Sequence, residues 1–114
     1  MRQGTTPENS FTLPFQLPDG TEYRVVYAQG EEYNETILFE KTTQDCIIEG
    51  NKVKVRLTAE ETMLFDCTPR WHKNTLAPIP VWIQIGYTTP GGETNWSDII
   101  ETTPERVLKK DGVV

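Results

Sequence analysis

From Phe11 onward, apolar and polar residues alternate at a period of two, the spacing of a strand that buries one face. Phe11, Leu13 and Phe15 alternate with Thr12, Pro14 and Gln16. Pro14 has no N–H to give a ladder, so this first strand is expected at a sheet edge or with a break. Pro18-Asp19-Gly20 predicts a turn. In the next strand Tyr23, Val25 and Tyr27 share one face while Arg24, Val26 and Ala28 share the other, and a tight connection is expected at Gln29-Gly30-Glu31-Glu32. Tyr33 to Lys41 reads as a third strand with Ile37 and Phe39 on one face. Cys46-Ile47-Ile48 then starts a hairpin closed by Glu49-Gly50-Asn51, whose return arm turns Val53, Val55 and Leu57 inward and Lys52, Lys54 and Arg56 toward water.

The period changes at Thr58-Ala59-Glu60-Glu61. A hydroxyl residue followed three positions later by glutamate is the signature of a capping box, and a helix of one or two turns is expected within 58–65. Residues 66–80 hold Pro69, Pro78 and Pro80 with little periodicity and are expected to form a long loop. Val81, Ile83, Ile85 and Tyr87 make the clearest core strand, with Trp82 and Gln84 on its reverse face. Pro90-Gly91-Gly92-Glu93 predicts a hairpin into Asn95–Ile100, and Val107 to Val114 reads as a last strand or tail. The pattern predicts one all-β domain over 1–114, with antiparallel strands, an N-terminal arm at 1–9, one short helical turn and a C-terminal tail at 109–114.

Composition fits that picture, because 114 residues suit a single core and the Trp, Tyr and Phe residues supply its bulk. A net charge of -6, with no cluster of Lys and Arg, sets the surface against phosphate backbones and argues against nucleic acid as a partner. No apolar run is long enough to span a bilayer, and the opening Met-Arg-Gln-Gly-Thr-Thr-Pro lacks the apolar stretch of a secretory signal. A product made in the cytoplasm and without membrane contact is expected.

Candidate chemistry is sparse. Cys46 and Cys67 are too few for a disulfide framework, and with the lone His72 they show no metal-ligand spacing. No cofactor or metal is expected. The adjacent pairs Glu31-Glu32 and Glu60-Glu61 diverge on a strand or helix, and Glu60 and Glu61 are accounted for by the positive end of a helix. Cys67 and His72 lack a third orienting group and oxyanion donors, so an enzyme is not expected. Asn34-Glu35-Thr36 and Asn95-Trp96-Ser97 match the glycosylation sequon, which needs a secretory route to matter. Trp71, Trp82 and Trp96 are the candidate contact residues. They would serve first as anchors of a subunit interface and second as a stacking platform for sugar rings.

The stretch Val53 to Val114 resembles a family of small structural proteins from the tail modules of bacteriophages and prophages of Gram-positive bacteria. The likeness rests on order: Val53-Lys54-Val55-Arg56-Leu57, Thr58-Ala59-Glu60-Glu61-Thr62 with Leu64-Phe65, then Val81-Trp82-Ile83-Gln84-Ile85, Gly91-Gly92, Ser97-Asp98-Ile99, and Val107-Leu108 with Asp111-Gly112-Val113. Arg2 to Pro7 and Phe11 to Phe15 add to it, while Thr68 to Ile79 has no counterpart and looks like an insertion. The resemblance implies an immunoglobulin-like β-sandwich in or near a virion tail or baseplate. It would be one copy of a homo-oligomeric ring in contact with other tail proteins, found in the host cytoplasm during assembly and then in the virion. It carries over no catalytic residues.

Overall fold

A computed structural model describes residues 1–31, 34–72 and 74–108, and for His72 gives only its place in the chain fold. The chain is built of β1 (Glu8–Thr12), β2 (Glu22–Glu31), β3 (Asn34–Thr42), β4 (Cys46–Glu49), β5 (Lys52–Arg56), α1 (Ala59–Thr62), β6 (Pro69–His72), β7 (Thr75–Pro78), β8 (Val81–Thr88), β9 (Thr94–Trp96) and β10 (Ile100–Thr102), with a 3-10 turn at Thr43–Asp45. One sheet has the order β1-β5-β4 and another β10-β8-β2-β3, with β9 also paired to β8; β6 and β7 pair only with each other. All strand pairings are antiparallel. The fold is all-β and sandwich-like, as the alternation predicts.

Both large sheets give their inward residues to one core. Phe11, Val53 and Val55 come from the smaller sheet and Tyr23, Val25, Tyr27, Val81, Ile83 and Ile85 from the larger, joined by Leu17, Leu57 and Phe65. Each such aliphatic side chain withdrawn from water is worth about 1.5–3 kcal/mol, and the period of two makes every second residue of β2, β5 and β8 contribute. Polar ties span the layers at the rim. The Tyr27 hydroxyl donates to Asn9 Oδ1 at 2.6 Å, and the Tyr27 ring stacks on Phe39 with centroids 4.7 Å apart. Burial pushes that phenol well above the usual tyrosine range.

The capping box forms as expected: Glu61 N–H donates to Thr58 Oγ1 at 3.1 Å, and Thr58 N–H donates to Glu61 Oε1 at 2.8 Å. Lys41, on the edge strand of the larger sheet, reaches the same Glu61 carboxylate at 2.6 Å and ties the helical turn across the sandwich. Phe65 beyond the turn is buried in the core, whereas Leu64 is exposed.

Four expectations need correction. Ile37 and Phe39 do not share a face, because the β2–β3 register pairs Tyr27 with Phe39 but Ala28 with Ile37. Leu38 is the extra residue of a β-bulge, which turns Ile37 to the outer face at 58% exposure. The connection expected at 29–32 lies further on, since β2 keeps its pairing through Glu31; Glu32 and Tyr33 fall outside the described residues. The N-terminal arm at 1–9 is tied down: Gln3 is buried, Arg2 bridges in parallel to Glu105, and β1 already begins at Glu8.

The fourth concerns 66–80, which holds a hairpin ribbon. β6 and β7 pair with Trp71 opposite Leu76 and Pro69 opposite Pro78, and Asn74 takes φ 65 at the turn. The prolines do not break it, because a ribbon with no third strand leaves outward N–H groups nothing to bond, so proline loses nothing there. The tail at 109–114 lies outside the described residues. Among the described residues, no helix is long and apolar enough to cross a membrane.

Candidate interaction faces

The inward half of β8 is spent on the core, so its outward residues Trp82, Gln84 and Gly86 define what the five-stranded sheet offers outside. Register sets the rows of that face. Trp82 sits level with Ala28, Ile37 and Glu101; Gln84 with Val26 and Glu40; Gly86 with Arg24, Thr42 and Trp96. Trp82 and Trp96 therefore share one outer face, about 13 Å apart along the strand at the usual rise per residue.

Trp96 has a fixed seat. A Cβ at Gly86 would lie 2.5 Å from the Trp96 ring, so the indole packs flat over a position only glycine leaves open, and it remains 46% exposed. Trp82 is half-buried and donates its indole N–H to Gly30 O at 3.4 Å. The edge beside them is irregular. Ser97 N–H donates to Ile85 O at 2.8 Å, but Ile85 N–H donates to the Ser97 hydroxyl at 3.1 Å, so a side chain replaces a main-chain acceptor between β9 and β10. Gln84 Nε2 donates to Ser97 O at 2.8 Å and holds the irregularity from the outer face.

Next to Trp96 lies an open depression of about 390 Å³, lined among others by Glu22, Arg24, Thr42, Thr88 and Thr94. Its wall mixes an aromatic face with hydroxyl and charged groups.

Trp71 is elsewhere. It stands on the β6–β7 ribbon at 74% exposure, opposite Leu76 at 54%. Alternation puts Pro69 and Pro78 on the same side of the ribbon as this pair and Arg70 and Ala77 on the other. A single buried side chain of the body holds both ends of the ribbon segment: Gln29 accepts from Asp66 N–H at 2.7 Å and donates to Asp66 O at 2.9 Å and Ile79 O at 3.2 Å. Asp66 itself accepts from Thr68 N–H at 2.9 Å and from Arg70 Nη2 at 3.0 Å. The Thr68 bonds, foremost its backbone N–H, hold the Asp66 carboxyl below its ordinary value, with Arg70 adding to the effect.

Of the three candidate tryptophans, the structure thus brings Trp82 and Trp96 to one face, with Trp96 level with Gly86, and leaves Trp71 apart on the ribbon. Sequence reasoning misses the Gly86 seat and the Gln29 clamp. A glycine inside the strongest core strand was the available signal for a close approach. Nothing in the residues signals the clamp, since a glutamine at an inward position does not reveal that its partners are main-chain groups.

The other candidates do not converge. Cys46 and Cys67 form no disulfide, and burial, followed by the nearby Asp45 carboxylate, pushes the Cys46 thiol up, away from a reactive thiolate. The His72 side chain lies outside the described residues, so the Cys67–His72 pairing has no described geometry. Glu61 is occupied by Thr58 and Lys41. Among the described residues, no group of three or more His, Cys, Asp or Glu side chains is placed to hold a metal ion. Neither a protein-family model nor a curated protein matches the chain.

Proposed function

We propose that the chain is a non-catalytic structural module of a bacteriophage or prophage tail or baseplate-type assembly, and that it works by contact with other proteins. The observation that carries this reading is the alignment of Trp82 and Trp96 on one outer face whose opposite side is fully committed to the core. Ile37 lies on the same face, so the surface combines aromatic anchors and an exposed aliphatic group with surrounding polar residues, the composition of an interface centre. The tail setting rests on the order of elements that resembles the tail-module proteins. Its partners are copies of itself and other tail proteins, first in the host cytoplasm and then in the virion. A stable contact of this kind covers about 800 Å² per partner.

Light scattering and sedimentation over a wide concentration range test the assembly part. Self-association that weakens on Trp96→Ala is expected, and a monomer at all concentrations counts against it. Antibody labelling of tail particles purified from cells that encode the chain tests the setting; unlabelled particles overturn it.

A second reading has its own observation. The depression beside Trp96 joins an exposed indole to Arg24, Glu22 and four threonines, the mixture that stacks and hydrogen-bonds a sugar ring. Titration of tryptophan fluorescence with a panel of cell-surface oligosaccharides should show quenching that Trp96→Ala abolishes. No change across the panel removes this reading.

A further inference from the structure

We infer that the Asp19–Gly20 bond is a site of spontaneous backbone isomerisation, at which the folded chain converts aspartate to isoaspartate through a cyclic imide.

The bond lies in the connection between β1 and β2, and both residues are exposed. Three features leave its reacting groups unhindered. Gly20 N–H makes no hydrogen bond among the described residues, because the turn is closed by Thr21, whose N–H and hydroxyl donate to Pro18 O at 3.3 and 2.6 Å. The Asp19 carboxyl likewise has neither a hydrogen bond nor an ion pair among the described residues. Gly20, at φ 86, brings no side chain to obstruct ring closure.

Comparable side chains elsewhere are occupied or crowded. Asp45 accepts from Thr42 N–H at 2.9 Å and Asp66 from Thr68 N–H at 2.9 Å, while Asn51 donates to Leu13 O at 2.9 Å. Asp98 is followed by Ile99, whose branched side chain hinders approach to the intervening nitrogen. Asp111-Gly112 repeats the dipeptide and lies outside the described residues.

The conversion needs only the chain and water. The Gly20 nitrogen gives up its proton and bonds to Asp19 Cγ, and a carboxyl oxygen leaves as water. Water then opens the imide ring. Breaking the bond from nitrogen to Cγ restores aspartate. Breaking the bond from nitrogen to the Asp19 main-chain carbonyl carbon sends the backbone through Cβ and leaves a free α-carboxylate. One water is lost and one regained, so the mass is unchanged.

The product is longer by one methylene in a turn whose flanks are fixed, since Leu17 and Thr21 are both buried. Space there is short: a Cβ on Gly20 would lie 3.2 Å from Pro90 Cγ. Glu22, the next residue after Thr21, opens β2 opposite Thr88 and lines the depression beside Trp96, so isomerisation loosens one wall of that depression.

To test this, the folded full chain is kept warm in neutral buffer, sampled over several weeks and digested with trypsin. Asp19 falls in the fragment Gln3–Arg24 and Asp111 in a different one, and electron-based fragmentation locates isoaspartate in each. Isoaspartate should accumulate at Asp19 at a rate within about tenfold of that in the chain unfolded in urea. Asp19→Asn should form it about tenfold or more faster, because a neutral amide is attacked more readily than a carboxylate. Asp19→Glu should abolish the reaction, because its ring would need a further member. Unchanged circular dichroism confirms that both variants fold. In the aged wild type, amide exchange at Thr21 should quicken while β5 stays as before.

A folded chain that reacts more than about tenfold slower than the unfolded one overturns the inference, since the turn then holds the nitrogen away from the carboxyl. A folded Asp19→Asn chain that forms no isoaspartate overturns it as well. Unchanged exchange at Thr21 in a chain that has isomerised overturns the loosening of the depression wall and leaves the site standing.

Discussion

β8 and the β6–β7 ribbon carry similar residues, tryptophan and aliphatics within extended chain, yet they end in opposite environments. β8 has β2 on one side and β9 with β10 on the other, and the smaller sheet covers Val81, Ile83 and Ile85. The ribbon has only its own two strands, and Trp71 and Leu76 stay in water. What separates them is the number of neighbours that register provides. Hydrophobicity alone does not decide burial; a strand becomes core when a second layer faces it.

The largest expected effect lies on the core side of this contrast. Phe65→Ala should cost about 3–5 kcal/mol in urea unfolding, because Phe65 is buried where the helical turn meets both sheets. A cost near that of a surface change would mean that Phe65 does not close the core. Next comes the outer face of β8. Gly86→Val should cost about 1–3 kcal/mol and shift the Trp96 fluorescence, since its side chain needs the volume the indole occupies.

Gln29→Ala joins the two regions. It strips main-chain groups at both ends of the ribbon of their partners, a loss of about 1–3 kcal/mol. Amide exchange should quicken over 66–79 more than in β8, and uniform quickening would show that the ribbon unfolds only with the whole body.

A smaller effect concerns acid. Because the folded Asp66 carboxyl is held below its ordinary value, its contribution is intact above the unfolded value and lost as pH falls through the folded one. Exchange at Thr68 and Arg70 should therefore rise selectively below about pH 4, and Asp66→Asn should remove that dependence. The smallest effect is Trp71→Ser, which should change unfolding free energy by no more than about 0.5 kcal/mol. A large loss would mean that Trp71 is packed against its own chain.

What could be read from the residues follows the same divide. The faces of β2, β5 and β8 and the capping box at Thr58 were legible, because each follows from local spacing. The bulge at Leu38 was not, since a period of two does not say where one residue drops out of register. The ribbon was hidden by Pro69, Pro78 and Pro80, which exclude a central strand but not a two-stranded one. The partnership of Trp82 with Trp96 was half legible: the outward face of Trp82 followed from alternation, while the seat of Trp96 on Gly86 depended on the length of the turn at Gly91-Gly92.

The Gln29 clamp also bears on how such a chain can change over evolutionary time. One side chain of the body grips Asp66 and Ile79, so the two ends of the intervening segment are held together whatever lies between them. A segment whose ends are already joined can be lengthened, shortened or exchanged at little entropic cost to the rest. The body behaves as a socket and the ribbon as an exchangeable cassette, which would let one sandwich acquire new binding partners while its core sequence stays under unchanged constraint.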